Sequence, residues 1–144
     1  GIGDCNDAQP VYPASFDESN LLSVASVTSF NTLATYSNFG GESVHVAAPG
    51  GSQDNGGLLS LGLPTCFGQC SQNTQPYTRS SGTSMATPIV AGLAALIKSA
   101  KPNLNHNQIY DILMSSGIEI GDLQGIIQSG QVINVRNAIL EALN

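Results

Sequence analysis

Residues 81–92 read S-G-T-S-M-A-T-P-I-V-A-G, a polar glycine turn that runs straight into an uncharged helical stretch. Ser84 stands where a helix leaves backbone N–H groups unpaired and where its dipole is positive. Such a place stabilises developing negative charge, so Ser84 suits a nucleophile whose oxyanion is held by its own N–H. The same features suit a plain N-cap at Thr83 or Ser84, and taken alone they favour the cap. Other chemistry-bearing residues are sparse. Cys66 and Cys70 form a C-x-x-x-C pair in a glycine-rich loop, which reads as a small disulfide in an oxidising compartment or as two free thiols. Neither a histidine nor a second cysteine pair stands nearby to complete a tetrahedral metal site. Cys5 is then left over, a thiol for a partner outside the chain. His45, in S-V-H-V-A, and His106, in the first turn of a helix, read as surface or structural residues. Asp4, Asp7, Asp17 and Glu18 sit in turn-like sequence and read as solvated.

The elements that must position Ser84 follow from periodicity. Leu21–Val27 and Ser43–Ala48 alternate as strands, with Val44 and Val46 expected on one face and His45 on the other. Residues 50–82 read as one long loop, longer than connections usually are without a functional reason. Met85–Ile97 is apolar all round, so it is expected to be buried on every side, and it is too short to span a membrane. Pro88 removes the helical partner of the Ser84 carbonyl, which predicts an irregular first turn and regular helix to about Ala100. Asn105 with Gln108 three residues on is a capping box for a second helix ending at Gly117. Gln131–Ile133 is a brief strand. Asn134 caps a last helix whose stripe is Val135, Ala138, Ile139, Ala142 and Leu143.

Composition narrows the function classes. A chain of 144 residues is one domain, or a portion of one, over 1–144. Only 10% of residues are charged and the net charge is −6, with four Lys and Arg in total. Four scattered cations cannot neutralise a phosphate backbone, which argues against nucleic-acid partners. Apolar residues make up 41%, enough for a core and too many for disorder. No apolar run reaches membrane-spanning length. Low charge with abundant Ser, Asn and Gly suggests a secreted protein. The chain begins at Gly1 without a basic-then-apolar leader, as expected if a leader was removed or if a longer protein was its source.

The string Gly82-Thr83-Ser84-Met85-Ala86-Thr87-Pro88-Ile89-Val90-Ala91-Gly92 closely resembles the nucleophile motif of the subtilisin-like serine proteases, with Ile89 in place of the family's usual, non-catalytic histidine. Tyr12-Pro13-Ala14-Ser15 followed by L-L-S-V-A-S-V is similar to the family's Y-P-A segment and its strand. Tyr36-Ser37-Asn38-Phe39-Gly40 followed by V-H-V-A-A-P-G is similar to its S-x-x-G and A-P-G segments. The resemblance runs over nearly the whole chain except about Ser52–Tyr77.

The resemblance implies an α/β, three-layer fold around a mainly parallel sheet, with only the C-terminal half of the catalytic domain in this chain. It implies Ser84 as acyl-forming nucleophile, with Gly82 and Thr83 supplying backbone at the oxyanion and pocket region. Tyr12, Pro13 and Ala14 would line an uncharged first specificity pocket. The catalytic Asp, His and oxyanion Asn would precede Gly1 and come from a second piece, the N-terminal half of the same protease, held to this one through Cys5 if a disulfide forms. The chemistry requires no cofactor. Many relatives bind structural calcium, for which Asp4, Asp7, Asp17, Glu18 or nearby carbonyls are the available ligands. The alternative is an inactive fragment acting as a binding or structural module. An esterase is a weak rival, since its elbow would read G-x-S-x-G rather than G-T-S-M-A.

Overall fold

The computed structural model describes residues 2–52, 56–62 and 77–144, and Cys66 and Cys70 lie outside that set. β1 (Val24–Val27) pairs in parallel with β2 (Val46–Pro49), and β2 pairs in parallel with β6 (Gln131–Val132). β5 (Ile118–Glu119) closes the sheet antiparallel to β6, giving the order β1-β2-β6-β5. The sheet is mainly parallel, as expected.

The side chains of β1 and β2 alternate between two cores. Val46 and Ala48 face α1 (Thr83–Ala100), α2 (His106–Ser115) and α3 (Val135–Leu143). Ala25, Val27 and Ala47 face the opposite way, onto Leu123 and Ile127 from a short 3-10 turn (Gly121–Leu123) and the loop after it. The layers are therefore helices, sheet, and a covering of turn and loop. Val44 joins the second core and Val46 the first, so the two do not share a face. The reason is a kink: the N–H groups of His45 and Val46 both point at the carbonyl of Ser23, at 3.0 and 3.4 Å. Regular alternation begins only after it.

The region 50–82 is not a plain loop. It contains an antiparallel pair, β3 (Leu58–Leu61) with β4 (Tyr77–Ser80), in the register Leu58 to Ser80. The short runs L-L-S-L and Y-T-R-S lack the alternation that marks a half-buried strand.

α1 is longer and more regular than its sequence suggests, with helix from Thr83 despite Pro88. Its buried stripe is Ala86, Val90, Leu93 and Ile97, at offsets 0, 4, 7 and 11, one face of a helix. Burying a Leu or Ile fully contributes about 1.5–3 kcal/mol each. The other faces are not covered by this chain: Ala91, Gly92 and Ala95 are exposed, and Leu96 is 53% exposed. The expectation of burial on every side is thus not met within these residues. At 18 residues and mean hydropathy 1.3, α1 also reaches the length and apolarity of a membrane crossing, contrary to the shorter reading. Its packing against β1, β2, α2 and α3 accounts for the apolarity of the buried stripe.

The capping box of α2 is formed in both directions. The Gln108 N–H donates to Asn105 Oδ1 at 3.0 Å, and the Asn105 N–H donates to Gln108 Oε1 at 2.9 Å. Asn134 caps α3 by accepting from the Asn137 N–H at 2.9 Å. The α3 stripe is narrower than expected. Ala138 and Ala142 are buried, while Val135 and Leu143 are about half exposed.

Candidate active site

α1 begins at the C-terminal edge of the parallel strands, the edge at which open α/β sheets place their ligands. Two backbone hydrogen bonds lead there from the sheet. The Gly50 N–H donates to the Val27 carbonyl at 3.1 Å, and the Gly82 N–H donates to the Gly50 carbonyl at 3.0 Å. Gly82 is the N-cap of α1 with φ +153°, a conformation that favours glycine. Its carbonyl accepts from the N–H groups of Met85 at 2.9 Å and Ala86 at 3.3 Å. No side chain caps the helix. The N–H groups of Thr83 and Ser84 therefore find no acceptor among the described residues. The plain N-cap reading of Thr83 or Ser84 is not what the structure has, since glycine holds that position.

Ser84 is exposed on this first turn, beside uncapped N–H groups at the positive end of an 18-residue helix. A groove of about 540 Å³ opens along it, walled by β3 and β4 on one side and by Met85, Pro88 and Ile89 on the other. On the other flank lies a cavity of about 240 Å³ lined by Ala14, Thr83, Val11, Tyr36, Asn6 and Asn38 among others, none of them charged. Ala14 and Thr83 thus meet in one pocket. Tyr12 and Pro13 do not line it. They are exposed, joined by a cis peptide, and the Tyr12 ring packs on Phe16 at 4.8 Å.

The histidines stand apart from Ser84 in the bonding pattern. Nδ1 of His45 accepts from the Ser23 N–H at 2.9 Å, and its ring meets Tyr110 edge-on at 5.7 Å. Burial pushes its pKa below the usual histidine value, partly opposed by the charge of Asp17. His106 is exposed at the first position of α2. Among the described residues no side chain is hydrogen-bonded to the Ser84 hydroxyl.

Asp7 is engaged rather than free. Its carboxylate accepts from the Ser43 hydroxyl at 2.6 Å, the Ser43 N–H at 2.9 Å and the Glu42 N–H at 3.2 Å. The Ser43 hydroxyl bond holds its pKa below the usual carboxylate value, with the backbone donors adding to it and desolvation opposing. Among the described residues no three His, Cys, Asp or Glu side chains converge on one point. Asp4, Asp7, Asp17 and Glu18 are not gathered into such a cluster. Cys5 is a half-buried free thiol bridged through its backbone to Phe39.

Sequence reasoning missed Ser26, Tyr36 and Gly50, which hold the approach to Gly82, and the β3–β4 wall of the groove. The Pro49-Gly50 pair at a strand end was the available signal for Gly50.

A family model described as the subtilase family matches residues 2–134. The chain is 36% identical over 110 residues to the halolysin-like extracellular serine protease Nep of Natrialba magadii, covering 76% of this chain and 17% of that protein. It is 37% identical over 111 residues to subtilisin DY of Bacillus licheniformis, covering 77% and 34%. Among solved structures, a protease of Pseudoalteromonas arctica PAMC 21717 superposes with TM-score 0.73 at 34% identity, over 91% of this chain and 38% of that one. The A-subunit of the AB5 toxin from E. coli shares the fold, with TM-score 0.76 at 21% identity, over 100% of this chain and 48% of that one. The chain spans less than half the length of each of these proteins. With an exposed serine at the head of the apolar helix, and a family match from the second residue to the cap of α3, the chain belongs to the subtilase family.

Proposed function

We propose that residues 1–144 are the nucleophile-bearing portion of a serine endopeptidase catalytic domain. The observation that carries this is Ser84, exposed on an uncapped first helical turn between an uncharged pocket and a long groove. In the reaction, Ser84 Oγ attacks the carbonyl carbon of a peptide bond while a histidine takes its proton. That histidine returns the proton to the leaving amine, and water then releases the acid and restores Ser84. The N–H groups at the helix head face the developing oxyanion. The pocket shared by Ala14 and Thr83 receives an apolar or uncharged large side chain ahead of the scissile bond. All of this uses protein groups and needs no cofactor.

The histidine, its aspartate and an oxyanion asparagine come from the N-terminal half of the same protease. This chain alone is inactive, since a serine hydroxyl without a base is a poor nucleophile at neutral pH. The exposed faces of α1 support a covering partner, because an apolar helix with open sides invites association. Cys5, a half-buried free thiol, is the candidate link between the two pieces. The low charge supports secretion, and the similar protein Nep is described as extracellular.

Fluorophosphonate labelling of the complete protease, with intact-mass analysis, tests the reading. Labelling of wild type and none of Ser84→Ala is expected. Equal labelling of both, or of neither, would overturn it. Without labelling, the second reading stands, an inactive fragment acting as a binding or structural module.

A further inference from the structure

The Tyr36 phenol sits at the junction of the two walls of the site. Its oxygen is 2.6 Å from the Gly51 carbonyl, 3.0 Å from the Gly50 carbonyl and 2.8 Å from Ser26 Oγ. A phenol has one proton to give. The shorter bond to Gly51 takes it, and the fully buried Ser26 hydroxyl donates back to the phenol oxygen. The Gly50 carbonyl is the acceptor for the Gly82 N–H, two residues ahead of Ser84. Gly51 has φ +81°, and a Cβ there would come within 2.8 Å of Gly57 Cα, at the base of the β3–β4 wall. One hydroxyl therefore ties the turn from which both the helix head and the groove wall depart. The same residue lines the pocket that holds Ala14 and Thr83.

We infer that Tyr36 is a positioning residue for the nucleophile, its hydroxyl fixing the Gly50–Gly51 turn so that Gly82 presents Ser84 between the two walls. The inference rests on the role proposed for Ser84. Removing the hydroxyl frees the turn without emptying the pocket, because a phenylalanine ring fills the same space. Acylation should slow while affinity for ligand in the pocket holds.

The test is Tyr36→Phe in the complete protease, with fluorophosphonate inactivation resolved into its maximal rate and its half-saturating concentration. The maximal rate is expected to fall about tenfold, the scale of one lost hydrogen bond, while half-saturation stays within about twofold. Ser26→Ala, which keeps the ring and removes its hydroxyl partner, is expected to lower the maximal rate by less, about two- to fivefold. Tyr110→Phe, on α2 and outside this network, is expected to change neither constant. Amide exchange at Gly82 should quicken in Tyr36→Phe. Unchanged maximal rates in both Tyr36→Phe and Ser26→Ala, or an unchanged Gly82 exchange rate, would overturn the inference while leaving the role of Ser84 intact. A wild type that does not label at all would remove the role of Ser84 and this inference with it.

Discussion

Gly50 and Gly82 are in backbone contact across the gap between the end of β2 and the head of α1, N–H to carbonyl at 3.0 Å. A Cβ on Gly50 would lie 2.6 Å from the Gly82 carbonyl oxygen and 2.1 Å from Ser26 Oγ. The contact is thus available only to glycine, and it sets the distance between the sheet edge and Ser84.

Gly50→Ala is expected to destabilise the fold by about 1–3 kcal/mol, the usual cost of forcing an extra methyl into packed surroundings. Ser26 is fully buried and the Gly82 carbonyl is held by two helical N–H groups, so neither neighbour can yield freely. Urea denaturation measures the loss. Labelling of Ser84 should fall in the same variant even under conditions where it is fully folded.

Much of this arrangement was legible in the sequence, and the part that was not has a physical cause. The capping box at Asn105 and Gln108 and the cap at Asn134 are local, reading and forming within one helical turn. The serine motif is likewise local. Tyr36 to Gly51 and Gly50 to Gly82 are not: they join residues that no periodicity relates. The β3–β4 pair escaped because its pairing is with another segment of the same polar stretch, and Val44 fell in the wrong core because a kink at His45 shifts the alternation by one residue.

Asn105→Ala should cost about 1 kcal/mol, since both bonds of the box depend on that side chain or on the turn it fixes. Thermal denaturation in the complete protein checks the size. Gln108→Ala removes only the return bond, and its cost should be smaller.

Asp7 makes folding pH-dependent. Its folded pKa is lowered from 3.8 chiefly by the Ser43 hydroxyl. The stabilisation is therefore fully present above 3.8 and is lost as the pH falls through the lowered folded value. Asp7→Asn should be less stable than wild type at neutral pH, with the difference shrinking in acid below 3.8. A difference that stays constant across that range would remove the carboxylate as its cause.

His45 acts in the opposite charge sense. Burial favours the neutral ring, whose Nδ1 accepts from the Ser23 N–H. Its folded pKa lies below 6.5, so the unfolded chain binds a proton first as the pH falls. Stability should then decline from about 6.5 down through the lowered folded value, and level off below it. NMR titration of the imidazole should give a midpoint below that of free histidine, with the proton of the neutral ring on Nε2. Neutralising Asp17, the opposing charge, as Asp17→Asn should lower the midpoint further.

Two residues of α1, one position apart, should separate stability from association. Ile97 is fully buried against the sheet and α3, while Leu96 is 53% exposed on the open side. Ile97→Ala leaves a cavity in the core and should cost about 2–5 kcal/mol in any context. Leu96→Asp removes no contact of the described core and should change the stability of this chain little. If the N-terminal half covers the open side of α1, the same aspartate is buried there without a partner and weakens the association of the two pieces strongly. Co-purification of separately expressed halves, with denaturation of this chain measured alone, distinguishes the two effects. Equal loss of stability in both variants would place Leu96 in the core of the isolated chain, and unimpaired association of Leu96→Asp would mean the partner packs elsewhere.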